Sequence, residues 1–171
     1  MQAGIITTVL ESPIGDLLAA STAKGICLLD FLAMQERLEK QLARVEKLFS
    51  CKAEQGGNPY LLQLEQELAE YFSAQRQCFD VPLDYRGTAF QQQAWQALLD
   101  IPYGETRSYQ QQAEAINNPR AVRAVASANH HNKIAIVIPC HRVIAKDGSM
   151  AGYGGEIWRK EFLIALEHQT A

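Results

Sequence analysis

Hydrophobic spacing changes period near Ala33, and that change makes the first half of the chain a mixed α/β unit. Before it, apolar runs alternate with turn chemistry: Ile5 to Leu10, Pro13 to Gly15, Leu17 to Thr22, Lys24-Gly25, then Ile26 to Phe31. Short apolar segments bounded by Pro and Gly read as strands, here a small antiparallel meander. After it, Leu38, Leu42, Val45 and Phe49 recur at helical spacing and fall on one face. Gly56-Gly57-Asn58-Pro59 stops this helix and starts another, with Pro59 near its first position and Leu61, Leu64, Leu68 and Phe72 as its buried stripe. Phe79 to Leu83 reads as one more strand. Asp84 to Thr88 is the expected boundary, which predicts an N-terminal α/β domain over 1–85 and a mostly helical domain over 86–171.

The second half opens with a helix near Ala89 to Leu99 that buries Phe90, Ala94, Ala97 and Leu98 and stops at Asp100 to Gly104. Ser108 is placed to cap a short helix from Tyr109 to Ile116, and Asn118 to cap another whose first position is Pro119. Two short helices with a three-residue turn are the grammar of a helix-turn-helix, whose second helix enters a DNA groove. A plain helical hairpin has the same grammar. Arg120, Arg123 and Ser127 share one face of the second helix, Val122 and Val125 can pack inward, and the small side chains of Ala121, Ala124, Ala126 and Ala128 would let its backbone approach a groove.

Charge is distributed unevenly in a way that the net value of -3 conceals. Through Tyr85 there are 7 basic and 12 acidic residues, and after it 9 basic and 7 acidic. From Arg107 to Lys146 the basic residues Arg107, Arg120, Arg123, Lys133, Arg142 and Lys146 face only Glu114, a balance that suits a polyanion or a solvated basic surface. The longest uninterrupted apolar run, Ile134 to Pro139, is far short of the roughly 20 residues of a membrane span. The stretch Met1 to Leu10 lacks the basic start and small-residue cleavage site of a secretory signal, so a cytoplasmic location is expected. Cys27, Cys51, Cys78 and Cys140 form no close pair, which argues for free thiols rather than a metal or dithiol motif. Adjacent His130 and His131 are poorly arranged to share one ion, so no metal is expected.

The apolar run ends abruptly at Pro139-Cys140-His141-Arg142-Val143. A free thiol is only a few per cent thiolate at neutral pH, and a nucleophilic cysteine needs a base or a positive field, both of which the next two residues offer. Neighbouring side chains often point apart, so the imidazole would act through a water, with a carboxylate to orient it.

These residues resemble the signature of the O6-alkylguanine-DNA alkyltransferases. The resemblance spans the second half: Gly87 to Phe90, Ile101-Pro102-Tyr103-Gly104-Glu105-Thr106, Ser108-Tyr109-Gln110-Gln111, Arg120 to Val125, Asn132, Gly152-Tyr153 and the last helix. Over the first 85 residues it is one of layout. It is greatest to stand-alone bacterial members and implies a ribonuclease-H-like α/β domain followed by a winged-helix or helix-turn-helix domain. It also implies repair of double-stranded DNA by flipping out O6-alkylguanine, or O4-alkylthymine, and transferring the alkyl group irreversibly to Cys140, with no cofactor; nothing in the chain demands more than a monomer.

By the family pattern His141 deprotonates Cys140 through a water, Glu167 orients His141, and Asn132 supports the turn. Tyr109 assists flipping and bonds the base, and Arg123 fills the gap from the minor groove. The carbonyls of Cys140 and Val143 accept from the exocyclic amine, the N–H of Gly154 donates to O6, and Tyr153 walls the pocket. Three positions depart from the human-type member: Gly154 replaces a serine, Ala135 a proline of the alkyl pocket, and Ala126 a glycine. The structural zinc ligands of that type are not reproduced around Cys27. Two other classes stand beside this reading. A damage sensor without chemistry would lack the reactive cysteine, and a cysteine hydrolase using Cys140, His141 and Glu167 would leave the helix-turn-helix and basic stretch without a purpose.

Overall fold

The computed structural model describes residues 4–150 and 152–171; Met1, Gln2 and Ala3, part of the stretch read for a signal, lie outside it. The chain divides into two compact units, Met1–Arg86 and Gly87–Ala171. Among the described residues no helix is long and apolar enough to cross a membrane.

In the first unit β1 (Ile5–Leu10), β2 (Leu17–Ser21) and β3 (Ile26–Phe31) form the antiparallel meander anticipated from the turn punctuation. A fourth strand, β4 (Ala53–Gln55), pairs parallel with β1 and completes the order β3-β2-β1-β4. Three residues at a sheet edge, none fully buried, carry no hydrophobic period, so this strand left no trace in the pattern. Between β3 and β4 runs α1 (Gln35–Phe49), whose Leu38 and Val45 pack with Ile5, Ala20, Cys27 and Leu28, flanked by Leu42 and Phe49. In α2 (Pro59–Phe72) Asn58 accepts from the Leu61 N–H and Pro59 holds the first position. Its stripe closes with buried Tyr71 rather than Phe72, which is only half-buried. The expected strand from Phe79 to Leu83 is absent apart from a single parallel bridge between Leu83 and Ile26. The backbone N–H groups of Asp80 and Val81 instead donate to the buried carboxylate of Glu67, which diverts this stretch from a ladder.

The second unit begins with α3 (Ala89–Leu99), opened by a reciprocal capping box between Thr88 and Gln91. Its buried face is Ala94, Trp95 and Leu98, so Trp95 takes the central place that spacing assigned to Phe90 and Ala97, both half-buried. The short strand β5 (Arg107–Ser108) leads directly into α4 (Tyr109–Ala115), capped by Ser108 as expected. Then come α5 (Val122–His130), a single 3₁₀ turn at Cys140–Arg142, β6 (Val143–Ile144) and α6 (Ile157–Thr170). The strands β5 and β6 pair in parallel, Arg107 with Val143 and Ser108 with Ile144.

The connection between α4 and α5 differs from the expected three-residue turn with Asn118 as a cap. Asn117 is left-handed at φ 59°, its N–H donates to the Glu114 carbonyl, and the Asn118 N–H donates to the Ala113 carbonyl. That pair of bonds is a Schellman ending, so both asparagines terminate α4 instead of starting α5. The Asn118 carbonyl then accepts from the Ala121 N–H, and α5 begins only at Val122, with Ala121 as its uncapped first neighbour. Arg120 therefore lies in the turn ahead of the helix. The exposed positions of α5 are Arg123, Ala124, Ser127 and His130, while Ala126 is half-buried.

Left-handed backbone suits Asn and Gly and penalises branched residues. In urea unfolding, Asn117→Gly should stay within about 0.5 kcal/mol of the parent, whereas Asn117→Val should lose about 1 to 2 kcal/mol.

Candidate active site

Asn132 organises the approach to Cys140. Its side-chain oxygen accepts from the Ile134 N–H at 3.0 Å, and its amide nitrogen donates to the Ile138 carbonyl at 2.8 Å and to Cys140 Sγ at 3.2 Å. Between those anchors the apolar run is wholly buried, yet it forms no strand. A bond from the Val137 N–H to the Ala135 carbonyl bends the chain about Ile136, which has φ 71°. This is the rare γ-turn sense, strained for a β-branched residue. A second tight turn follows, from the Cys140 N–H to the Ile138 carbonyl around Pro139 at φ -83° and ψ 66°, a geometry proline adopts readily. Two successive turns pinned by one asparagine thus bring Cys140 out of the core to partial exposure.

The turn then drives His141 inward, where it is fully buried. Its Nε2 lies 2.6 Å from Glu167 Oε2, and its Nδ1 is buried with no hydrogen-bond partner. Arg142 Nε and Nη2 donate to the same carboxylate at 2.8 and 3.2 Å, and its Nη1 donates to the Ile101 carbonyl at 2.7 Å. The Gly104 N–H reaches Glu167 Oε1 at 3.5 Å. Burial alone would raise the Glu167 carboxyl, but the bond and charge of His141, together with those of Arg142, outweigh it and hold it at about 2. Burial pushes the His141 imidazole below its usual value despite Glu167, with Arg142 and Lys160 acting in the same direction. Arg142 gives the carboxylate a permanent positive partner, so the resting state is an ionised Glu167 and a neutral His141. The imidazole then carries its proton on Nε2 and offers a lone pair at Nδ1.

Tyr109, at the first position of α4, is half-buried, and burial followed by the charge of Cys140 raises its phenol. It therefore keeps its proton as a donor. Gly152 at φ 85° allows the next loop to approach: a Cβ built there would lie 2.7 Å from Tyr109 Oη. Tyr153 and Gly154 on that loop are half-buried, and Val143 is fully buried with its N–H bonded to the Cys140 carbonyl. The structure thus brings Cys140 together with Asn132 by direct contact and with Tyr109 electrostatically, and His141 with Glu167 by direct contact. Arg123, Ser127 and Arg120 lie on exposed surface, with Ala121 and Ala126 half-buried beside them.

Two charged groups were not recognised from sequence in these positions. Lys160 is fully buried; burial pulls its ammonium down and the charge of Cys140 pulls it back. It shares the inner face of α6 with Leu163, Ile164 and Glu167, and a lysine and a glutamate seven apart on an apolar stripe were the available signal. Arg142 was read as a source of positive field beside Cys140; it also bonds the Ile101 carbonyl, and its ion pair with Glu167 was not anticipated. The basic stretch is correspondingly thinner at the surface: Arg142 and Lys133 are buried, the latter over the Trp95 ring, and Arg107 pairs with Glu105. Exposed Arg120, Arg123 and Lys146 remain. The thiol of Cys27 is pushed up to about 12, chiefly by burial, which makes it inert. Among the described residues no group of three or more His, Cys, Asp or Glu side chains is placed to hold a metal, and His131 Nδ1 is engaged with the Ser127 carbonyl.

Both Glu167 and His141 are held below their ordinary values, so the unfolded chain binds more protons in the window below those values. The stability they contribute is complete above about pH 6.5 and is lost as pH falls, the Glu167 share between about 4.5 and 2. In a series of urea titrations the parent should lose on the order of 3 kcal/mol through the lower window that Glu167→Gln does not lose. That variant should be weaker at pH 7, where Arg142 is left as a buried unpaired charge.

Comparison with known proteins agrees over both units. Residues 5–85 match the ribonuclease-like domain, and residues 89–169 the DNA binding domain, of 6-O-methylguanine DNA methyltransferase. A methylated-DNA--protein-cysteine methyltransferase of Methanosarcina barkeri is 43% identical over 95% of this chain and 96% of its own. The constitutive enzyme of that name from Bacillus subtilis is 41% identical over 94% and 93%. A crystal structure of Mycobacterium tuberculosis OGT in complex with DNA superposes with TM-score 0.80 at 42% identity, covering 98% of this chain and 94% of that one.

Proposed function

The chain belongs to the 6-O-methylguanine DNA methyltransferase family, and from that premise we propose that it repairs double-stranded DNA by moving an alkyl group from guanine O6 to its own Cys140. O4-alkylthymine is a second candidate substrate. The observation that carries the assignment is the setting of His141: Nε2 lies 2.6 Å from Glu167 Oε2, Nδ1 has no hydrogen-bond partner, and Cys140 is the residue immediately before it.

A water between Nδ1 and the thiol passes the Cys140 proton to His141, and Glu167 stabilises the imidazolium that forms. Asn132 Nδ2 donates to sulfur and stabilises the negative charge left there. The thiolate attacks the alkyl carbon, forming an S–C bond as the C–O6 bond breaks. The Tyr109 phenol, held protonated, donates to guanine N3 and eases departure of the base as it returns to its keto form. The proton lost by the thiol is in the end the one gained by guanine. A thioether is not hydrolysed by any group in this site, so each molecule reacts once, and the transfer requires no cofactor.

The O6 atom lies within the stacked duplex, so the nucleotide must be extruded at a cost of a few kcal/mol. Arg123 on the outer face of α5 is the group proposed to occupy the gap, with Ser127 and Arg120 against the backbone and Ala121 and Ala126 allowing close approach. Tyr153, the Gly154 N–H and the Val143 carbonyl are proposed to hold the flipped base. The Cys140 carbonyl already accepts one bond from Val143 and retains a lone pair for the exocyclic amine. One copy of the chain supplies every group used.

Incubation with a duplex carrying O6-methylguanine, followed by peptide mass analysis, should find one methyl on Cys140; a methyl on Cys27, Cys51 or Cys78 would overturn the assignment. Arg123→Ala should slow transfer from the duplex by about tenfold or more while leaving reaction with free O6-benzylguanine within about twofold, since only the first requires extrusion. Equal losses on both substrates would remove Arg123 from the flipping role.

A further inference from the structure

Two amide side chains, Gln112 on α4 and Asn129 on α5, are almost completely buried inside the second unit and bond to each other reciprocally. Gln112 Nε2 donates to Asn129 Oδ1 at 2.9 Å, and Asn129 Nδ2 donates to Gln112 Oε1 at 2.7 Å. Gln112 Nε2 also donates to the Ala94 carbonyl of α3 at 3.1 Å. At the adjacent positions, Trp95 Nε1 of α3 donates to the Ala128 carbonyl of α5 at 2.8 Å. Three helices are thereby joined through directional bonds rather than through apolar contact alone.

The position of this pair in the chain gives it a reach beyond packing. Gln112 lies three residues after Tyr109 on a short helix, so a rotation or slide of α4 moves both together. Asn129 lies on α5 with Arg123, and its backbone carbonyl accepts from the N–H of Asn132, whose side chain holds Cys140 Sγ. A buried amide pair is a poor source of stability: replacing both partners by apolar groups of similar shape is often nearly neutral. Its distinctive property is orientation, since two antiparallel N–H···O bonds tolerate little sliding, whereas two leucines tolerate much.

We propose that the Gln112–Asn129 pair is a positioning lock that holds Tyr109 and Arg123 in register with Cys140, so that extrusion of the base delivers its O6 substituent to the sulfur. This rests on the methyl-transfer reading above. Gln112 and Asn129 touch neither base nor thiol in this scheme and act through the helices they join.

The test uses single-turnover transfer from an O6-methylguanine duplex over a range of DNA concentrations, reaction with free O6-benzylguanine, and urea stability. The variants are Gln112→Leu with Asn129→Leu together, and the exchanged pair Gln112→Asn with Asn129→Gln. The double leucine variant leaves no amide unsatisfied and should fold with stability near that of the parent. Its rate at saturating duplex should fall by about tenfold or more, as a misplacement of order 1 Å can cause, while its reaction with the free base, which uses Tyr109 but is not tethered to Arg123 and can follow the phenol, should fall by about threefold at most. The exchanged pair, which preserves donors, acceptors and summed length, should recover most of the duplex rate. A double leucine variant that repairs duplex at the parent rate, or loses both reactions in proportion, overturns the lock and leaves the methyl-transfer reading standing. A parent chain that transfers no methyl to Cys140 overturns that reading and the lock with it.

Discussion

The second unit depends on one buried carboxylate. Glu167 receives a hydrogen bond from His141 and two from Arg142, with the Gly104 N–H at the edge of reach. The last helix, the turn after the apolar run and the segment following α3 therefore converge on two oxygen atoms. Moving a carboxylate and a guanidinium out of water costs several kcal/mol each, and their attraction offsets this only when the remaining donors and acceptors are satisfied. The Ile101 carbonyl supplies that for Arg142. Such a cluster is intolerant of partial occupancy, and what it secures is orientation: the imidazole cannot turn without breaking the contacts that dock α6.

A division of labour follows within the unit. Asn132 governs where the sulfur emerges, through bonds to two points of the preceding run and to Sγ itself. Glu167 and Arg142 govern which nitrogen of His141 is available. The surface proposed for DNA carries few of the positive charges that the chain supplies nearby, since Lys133 and Arg142 serve the interior. Attraction to phosphate would accordingly be spread thinly, and small side chains and an exact helix position matter more to the fit than charge density.

Much of this was legible in the residues, unevenly and for identifiable reasons. The strands β1 to β3 follow from short apolar runs bounded by Pro and Gly, and the helices α1 to α3 from period, because each helix buries one face. β4 and the absent strand at Phe79 to Leu83 escaped because backbone bonds to a distant partner, β1 in one case and Glu67 in the other, decide them. Asn118 was assigned to the wrong helix because the same residue types serve both to end and to begin a helix, and only the bonds to Ala113 and Glu114 distinguish the two. Cys140 and His141 stood out through local context. Lys160, the carboxylate-binding side of Arg142 and the Gln112–Asn129 pair did not, because a polar residue on an apolar face acquires meaning only once its partner, far along the chain, is brought against it.

The two-rung ladder of β5 with β6 is the smaller of the two sheets among the described residues. Its upper strand runs straight into Tyr109, and its lower strand issues straight from the Cys140–Arg142 turn. The phenol and the sulfur are therefore measured from a common ruler only two residues long, with no flexible joint on either side. Drift by a single residue in that ladder would move one reactive group past the other by about 3.3 Å, more than a hydrogen bond length. Sequence drift should consequently be tolerated in the exposed turn from Lys146 to Ser149 and scarcely at all in the spacing that separates either strand from its neighbouring side chain.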